Sequence, residues 1–152
     1  MPVRILMVCL GNICRSPLAE GILASKINPS DVFVDSAGTA GYHVGNPPDP
    51  RSVEIAASHG IDISSQRCRR FSQEDFDEFD YIFAMDRENL MHLQEAARSP
   101  EDLKKISLLL EAAQMSEEEV PDPYYGGKDG FLHVFRMIDQ ATDRILESLQ
   151  NR

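Results

Sequence analysis

Residues 4–10 (RILMVCL) form a continuous apolar run behind a single charge. A run this short and unbroken fits a strand buried on both faces. Such a strand belongs inside a parallel sheet whose two sides are covered by helices. The rest of the chain supplies matching parts. Ser16-Pro17 reads as a helix start, with Ser16 as cap and Pro17 at the first helical position. Leu18, Ala19, Ile22, Leu23 and Ala24 give that helix an apolar face. Residues 32–36 (VFVDS) read as a second strand, and a Gly/Pro-rich loop follows from 38 to 48. Asp49-Pro50 opens another helix, which Gly60 after His59 would stop. Ser72 with Asp75 resembles a capping box, which predicts a short helix over 72–79. Residues 81–85 (YIFAM) predict a third buried strand, and 87–97 a helix. Residues 106–110 (ISLLL) predict a fourth strand. Two prolines and two glycines exclude regular structure over 120–127 (VPDPYYGG). Residues 131–149 predict a long amphipathic closing helix with Val134, Phe135, Ile138, Ile145 and Leu149 inward. Strands alternating with helices make this an α/β chain with a parallel sheet, and its site is expected beyond the carboxyl ends of the strands. Cys9 lies at that end of the first strand.

Length and charge narrow the functions. A chain of 152 residues suits one compact domain, and no repeat or linker divides 1–152. The formal net charge of −10 disfavours nucleic acid and anionic membranes as partners. No apolar run is long enough to cross a bilayer. The opening Met1-Pro2-Val3-Arg4 lacks the layout of a secretory signal, so the cytoplasm is the expected compartment. Three cysteines, Cys9, Cys14 and Cys68, argue against a secreted disulfide framework. Nothing near Cys9 and Cys14 completes a metal site.

The junction Val8-Cys9-Leu10-Gly11-Asn12-Ile13-Cys14-Arg15-Ser16-Pro17 joins the first strand to the first helix. Physically it reads as a cradle for a phosphoryl group. A short strand-to-helix loop can turn its amide N–H groups toward one centre, and the helix N-terminus adds roughly half a positive charge. Gly11 allows torsions that other residues resist, and Asn12 tolerates the left-handed region. The same donors favour thiolate over thiol at Cys9. Arg15 closes the ring, because its planar fork can bind two phosphoryl oxygens at once. Ser16 can also donate to the thiolate. A thiolate displacing an alkoxide or phenoxide needs an acid to protonate the leaving group. Asp122, in Pro121-Asp122-Pro123-Tyr124-Tyr125-Gly126, is the candidate, stiffened by its flanking prolines. Only the fold can bring it to Cys9.

Cys-x5-Arg-Ser near the N-terminus with an Asp-Pro loop near the C-terminus resembles the low molecular weight protein tyrosine phosphatases. The likeness runs over essentially the whole chain. It includes Asp35-Ser36-Ala37-Gly38, Gly45-Asn46-Pro47-Pro48, His59-Gly60-Ile61, Asp75-Phe76 and Met85-Asp86. The resemblance implies a single three-layer domain with a four-stranded parallel sheet in the order 2-1-3-4. It implies hydrolysis of phosphotyrosine through cysteinyl-phosphate, without metal or cofactor. Carried over by position, Cys9 is the nucleophile, Arg15 binds the phosphoryl group, and Asp122 is general acid and then base. The amides of Leu10, Gly11, Asn12, Ile13, Cys14 and Arg15 form the cradle. Asn12, Ser16 and Ser36 match a network that supports the loop. Gln66 stands where the family usually has a histidine, and an amide can bond there but not titrate. Tyr42 and Tyr124 match the pocket walls, with Tyr125 behind. The resemblance also makes Tyr124 and Tyr125 candidates for phosphorylation, and Cys14 the partner for a protective disulfide with Cys9. The implied partners are phosphotyrosine peptides and oxyanions, with the protein a monomer.

Two other functions fit parts of the pattern. An arsenate reductase on the same scaffold would use the cradle but needs a thiol relay. Cys68 is the only spare cysteine, and 83–86 (FAMD) offers no thiol. A non-catalytic phosphate binder would not need nucleophile, arginine and acid together. Simpler roles stand beside several residues. Asp86 reads as a helix cap, with a link to Arg15 the less favoured role. Cys68 reads as incidental. His43, His59, His92 and His133 read as surface or capping residues, and 117–119 (EEE) as a solvated loop.

Overall fold

The computed structural model describes residues 2–124 and 128–150. The apolar run 4–10 lies at the heart of a four-stranded parallel sheet. Its strands are β1 (Val3–Cys9), β2 (Val32–Gly38), β3 (Tyr81–Ala84) and β4 (Ile106–Leu108), in the order β2-β1-β3-β4. Alternate residues of β1 serve opposite faces, as the two-residue period of a strand requires. Ile5, Met7 and Cys9 join one core with α1 (Arg15–Ala24) and α7 (Lys128–Gln150). Leu6 and Val8 join the other core with Phe76, Phe79 and Leu93, from α3 (Asp75–Glu78) to α4 (Arg87–Ala96). Residues 5 to 8 are fully buried. Each such side chain contributes roughly 1.5–3 kcal/mol, so the strand can carry a strained residue just beyond its end.

Several boundaries differ from the sequence expectations. Helix α1 begins at Arg15, with Cys14 in the cap position and no side-chain cap bond. Ser16 is therefore inside the first turn, and its hydroxyl faces inward. The predicted capping box is half formed: the Ser72 amide donates to the Asp75 carboxylate at 2.9 Å, and the helix is the single turn α3. Residues 109–110 leave the fourth strand for a short helix, α6 (Leu109–Ala112). Helix α5 (Pro100–Lys105) was not anticipated, although Ser99 caps it and Pro100 opens it. Asp49 caps α2 (Pro50–Ala57) as expected, accepting from the Arg51 amide. Gly60, beyond the end of α2, has a φ of +79°, which glycine adopts without steric penalty. In α7, Val134, Phe135, Ile138 and Ile145 are buried, and Leu149 packs at the margin.

Helix α1 approaches the segment 61–66 closely because position 21 has no side chain. A Cβ on Gly21 would overlap the Cγ2 of Ile63, a buried and β-branched residue with little freedom to turn away. Alanine improves helix propensity by about 1 kcal/mol, whereas overpacking costs about 1–3 kcal/mol. Gly21→Ala is expected to destabilise the protein by up to about 2 kcal/mol. A denaturant melt reads this directly, and a gain in stability would mean that α1 is free to shift.

Candidate active site

The loop from Cys9 to Arg15 has five of its carbonyls bonded to neighbouring segments. The Cys9 and Leu10 carbonyls accept from the Thr39 and Ala40 amides, each at 2.9 Å. The Asn12 carbonyl accepts from the Cys68 thiol at 2.8 Å, and the Ile13 carbonyl from the Asp49 amide at 2.8 Å. The Cys14 carbonyl accepts from the Ser52 hydroxyl at 3.3 Å. A trans peptide is planar, so each fixed carbonyl leaves the next residue's N–H on the opposite side. The amides of Leu10, Gly11, Ile13, Cys14 and Arg15 therefore turn toward the cleft that Cys9 and Arg15 line. Five neighbouring donors thus converge on that cleft, and the start of α1 adds its dipole.

Asn12 holds the bend. Its φ of +59° lies in the left-handed region, which asparagine enters more cheaply than most residues. Its side-chain amide donates to Ser16 at 2.9 Å and to Ser36 at 3.0 Å, and its oxygen accepts from the Arg69 amide at 2.9 Å. Ser16 Oγ in turn lies 3.0 Å from Cys9 Sγ. Asn12, Ser16 and Ser36 thus form the network that the sequence grouped together. Gln66 does not join it. Its amide donates to the Pro17 carbonyl at 3.2 Å instead, and the Arg69 backbone meets Asn12.

Cys68 is not incidental: it is buried under the loop and supports the Asn12 carbonyl. Burial, helped by the nearby Cys9 sulfur, pushes its thiol up to about 11, so its basic sequence neighbours do not activate it. Gly11 is needed for space rather than torsion. Its φ is not positive, and a Cβ there would meet the His43 ring at 3.0 Å. His43 accordingly lies against the loop and lines the cleft. Gly38 ends β2 directly beneath the loop, where a Cβ would come within 2.8 Å of the Leu10 carbonyl oxygen.

Arg15 is buried, with a side-chain exposure of 3%. One terminal nitrogen is pinned, donating to Asp86 at 2.6 Å and to the Val120 carbonyl at 2.9 Å. The other lies 3.7 Å from the Asp122 carboxylate, leaving that edge of the fork toward the cleft. Burial alone would lower the Arg15 pKa, but the Cys9 sulfur, Asp86 and Asp122 outweigh it and hold the guanidinium charged. Asp86 does cap α4, accepting from the Asn89 amide at 2.8 Å. It also anchors Arg15, the role the sequence disfavoured. An aspartate at the end of a strand gives only the cap signal, because its second partner lies 71 positions away.

The sequence profile of the low molecular weight phosphotyrosine protein phosphatase family matches residues 4–152. The low molecular weight protein-tyrosine-phosphatase YfkJ of Bacillus subtilis is 39% identical, over 97% of this chain and 96% of that protein. A protein tyrosine phosphatase of Entamoeba histolytica, crystallised with Hepes in its active site, superposes with a TM-score of 0.92. It is 36% identical over 98% of this chain and 97% of that one. A Drosophila arginine phosphatase superposes with a TM-score of 0.87 at 38% identity, over 95% of this chain and 97% of that one. The chain belongs to the low molecular weight protein tyrosine phosphatases.

In this phosphatase the same cleft is walled by Leu10, Ile13, Tyr42, His43 and Tyr124, with Asp122 at its edge. Asp122 accepts from the Tyr124 amide at 2.9 Å, an Asx turn that fixes the carboxylate relative to the aromatic wall. The Tyr124 ring stacks on the Arg51 guanidinium, 5.4 Å from its centroid, and Phe131 of α7 lies on the same guanidinium at 4.6 Å. Asp49 holds Arg51 through its carboxylate, with bonds of 3.0 and 3.1 Å. Burial alone would raise the Asp49 pKa, but these Arg51 bonds hold it below the usual range. Asp49 therefore fastens the loop, through the Ile13 carbonyl, to the wall that carries Tyr124. Burial, then the Asp49 charge, pushes the Cys14 thiol far up, so Cys14 is a neutral thiol at rest. Tyr125 lies outside the described residues.

Among the described residues, no group of three His, Cys, Asp or Glu side chains could hold a metal ion, and no helix is long and apolar enough to cross a membrane. Asp86→Asn keeps a capping side chain but removes the charge behind Arg15. It is expected to weaken inhibition by inorganic phosphate roughly tenfold, the effect of about 1.4 kcal/mol at a part-buried ion pair. Unchanged inhibition would show that Val120 alone positions the guanidinium.

Proposed function

We propose that this phosphatase hydrolyses phosphotyrosine, and small aryl phosphates, through a cysteinyl-phosphate intermediate. One observation carries the reading: Cys9, Arg15 and Asp122 line one cleft, and five carbonyls of its loop are tied to groups outside it. The Cys9 thiolate attacks phosphorus, and an S–P bond forms as the P–O bond to the aryl group breaks. Asp122 gives its proton to the departing phenolate oxygen. The loop amides and Arg15 hold the three equatorial oxygens, where charge spreads in a loose transition state. Water then attacks phosphorus, Asp122 takes a proton from it, and the S–P bond breaks to release phosphate and the thiolate. Ser16, 3.0 Å from the sulfur, is placed to donate to that thiolate. Asn12 and Ser36 keep Ser16 in place.

Aromatic and apolar walls favour an aryl leaving group. Phosphoarginine, the substrate class suggested by one similar structure, would bring a cationic guanidinium against Ile13 and Leu10, which offer it no acceptor. Arsenate reduction fits poorly, because Cys68 is buried beneath the loop with its thiol committed to Asn12. A pure binder leaves the proton donor Asp122 unexplained. Phosphotyrosine-containing proteins are the expected partners of a cytoplasmic monomer.

The test uses three variants and a leaving-group series. Cys9→Ser is expected to abolish hydrolysis of 4-nitrophenyl phosphate and phosphotyrosine peptides. Asp122→Ala is expected to slow esters of basic phenols by about 10²–10⁴-fold and esters of acidic phenols far less. Equal loss across the series would remove Asp122 as the acid. Ile13→Thr serves as the control for substrate class. Wild-type turnover of phosphoarginine above phosphotyrosine, and unaffected by Ile13→Thr, would overturn the aryl assignment.

A further inference from the structure

The loop-support network does not end at Ser36. The Ser36 hydroxyl donates to Glu20 Oε1 at 2.6 Å, so a carboxyl on α1 closes the far end of the chain of bonds. The Asn12 side-chain amide can only donate, which sets the direction of the bonds on either side of it. With Ser36 committed to Glu20, its oxygen accepts from Asn12, whose second amide hydrogen goes to Ser16. The Ser16 oxygen thereby accepts from Asn12, and its own hydrogen goes to a Cys9 thiolate at 3.0 Å, with the Ala37 carbonyl the longer alternative at 3.5 Å. We propose that Glu20 is a positioning residue that sets the strength of the Ser16–Cys9 contact through Ser36 and Asn12, and that its ionisation makes the activity of the phosphatase pH-dependent. This rests on Cys9 being the nucleophile.

Glu20 is unlike the other carboxyls around the site. The charged groups facing it are Asp35 on β2 and Arg69 in the segment before α3. Arg69 is already engaged, with bonds to both oxygens of Asp75 at 3.0 and 3.1 Å and to Asp35 at 3.1 Å. Gln66, which packs near Gly21 on the same helix, is neutral and bonded to Pro17. No cation is therefore dedicated to Glu20. Burial pushes its carboxyl up to about 7, against the lowering effect of the Ser36 hydroxyl; Asp35 adds to the rise and Arg69 opposes it. A carboxylate accepts a hydrogen bond about twice as strongly as a neutral acid. Linked bonds polarise one another, so this difference reaches Ser16. Ionised Glu20 tightens the cradle, and protonated Glu20 relaxes it. The folded state keeps the proton to higher pH than the unfolded chain. The stability contributed by this group is thus full below the ordinary carboxyl range and is lost as pH rises through about 7.

Glu20→Gln, which mimics the protonated acid, separates these effects. The ratio of wild-type to variant kcat/KM for 4-nitrophenyl phosphate is expected near one at about pH 5.5. It should rise to roughly fivefold at about pH 8, the difference between a charged and a neutral acceptor. Cys9 alkylation by iodoacetamide should show the same pH-dependent ratio without any need for turnover. The melting temperature of the wild type should fall relative to the variant over the same range. In wild-type protein labelled with 13C at the glutamate carboxyls, the Glu20 signal should titrate near neutral pH. A ratio independent of pH, or a Glu20 signal that titrates below about pH 5, overturns the proposal. Failure to hydrolyse any phosphate ester would instead sink the phosphatase mechanism, while alkylation and the carboxyl titration would still decide the role of Glu20.

Discussion

A chain carrying a net charge of −10 must attract a dianion. The whole-molecule field opposes this, so the attraction has to come from groups within a few ångströms of the ligand. The structure supplies them by inverting one loop. The carbonyls of Cys9, Leu10, Asn12, Ile13 and Cys14 are drawn outward by Thr39, Ala40, Cys68, Asp49 and Ser52, and the amides that follow them are left facing in. These groups come from the segment after β2, the loop before α3, and both the cap and first turn of α2. The anion site is therefore a product of the whole carboxyl edge of the sheet. A nine- or ten-residue motif excised from the chain would have no reason to keep that shape. Fixed dipoles also need no reorganisation when charge develops, which is why such loops suit phosphoryl transfer.

Much of this was legible in the sequence. The apolar run 4–10 gave the central strand, and the residues grouped as loop support, Asn12, Ser16 and Ser36, do bond to one another. What failed was mostly the second partner of a residue that already had an obvious first one. Asp86 satisfies every rule for a helix cap, so nothing local asks for Arg15 as well. Cys68 is surrounded in sequence by arginines, yet its thiol lies beneath the loop, where burial outweighs the lowering effect of Arg67. Ser16 looks like a cap because serine before proline so often is one. Here the helix starts two residues before Pro17, at Arg15, and the hydroxyl is directed at a sulfur. Gln66 shows the limit of position matching. Its place in the chain suggested the network, but an amide can reach the Pro17 carbonyl, and the Arg69 backbone took the site at Asn12.

Strand order explains why the partners of Arg15 come from so far along the chain. From β1 the chain passes over one face of the sheet through α1 to β2, on one side. From β3 it passes over the other face through α4 to β4, on the opposite side. The connections leaving β1 and β3 therefore diverge, and a crevice opens between the ends of two adjacent strands. Asp86 stands at the end of β3, at the start of α4, and Val120 comes from the segment that returns past it, its amide bonded to the Met85 carbonyl. Arg15, from the first turn of α1, spans the crevice to reach both. The side chain proposed to hold the phosphoryl group thus also ties together the two halves of the sheet. A ligand gripped by Arg15 is gripped by a group whose other nitrogen is already immobilised, so little entropy remains to be lost on binding. The buried ion pair is weak evidence for stability by itself. Its value here is directional, because it decides which edge of the guanidinium faces Cys9.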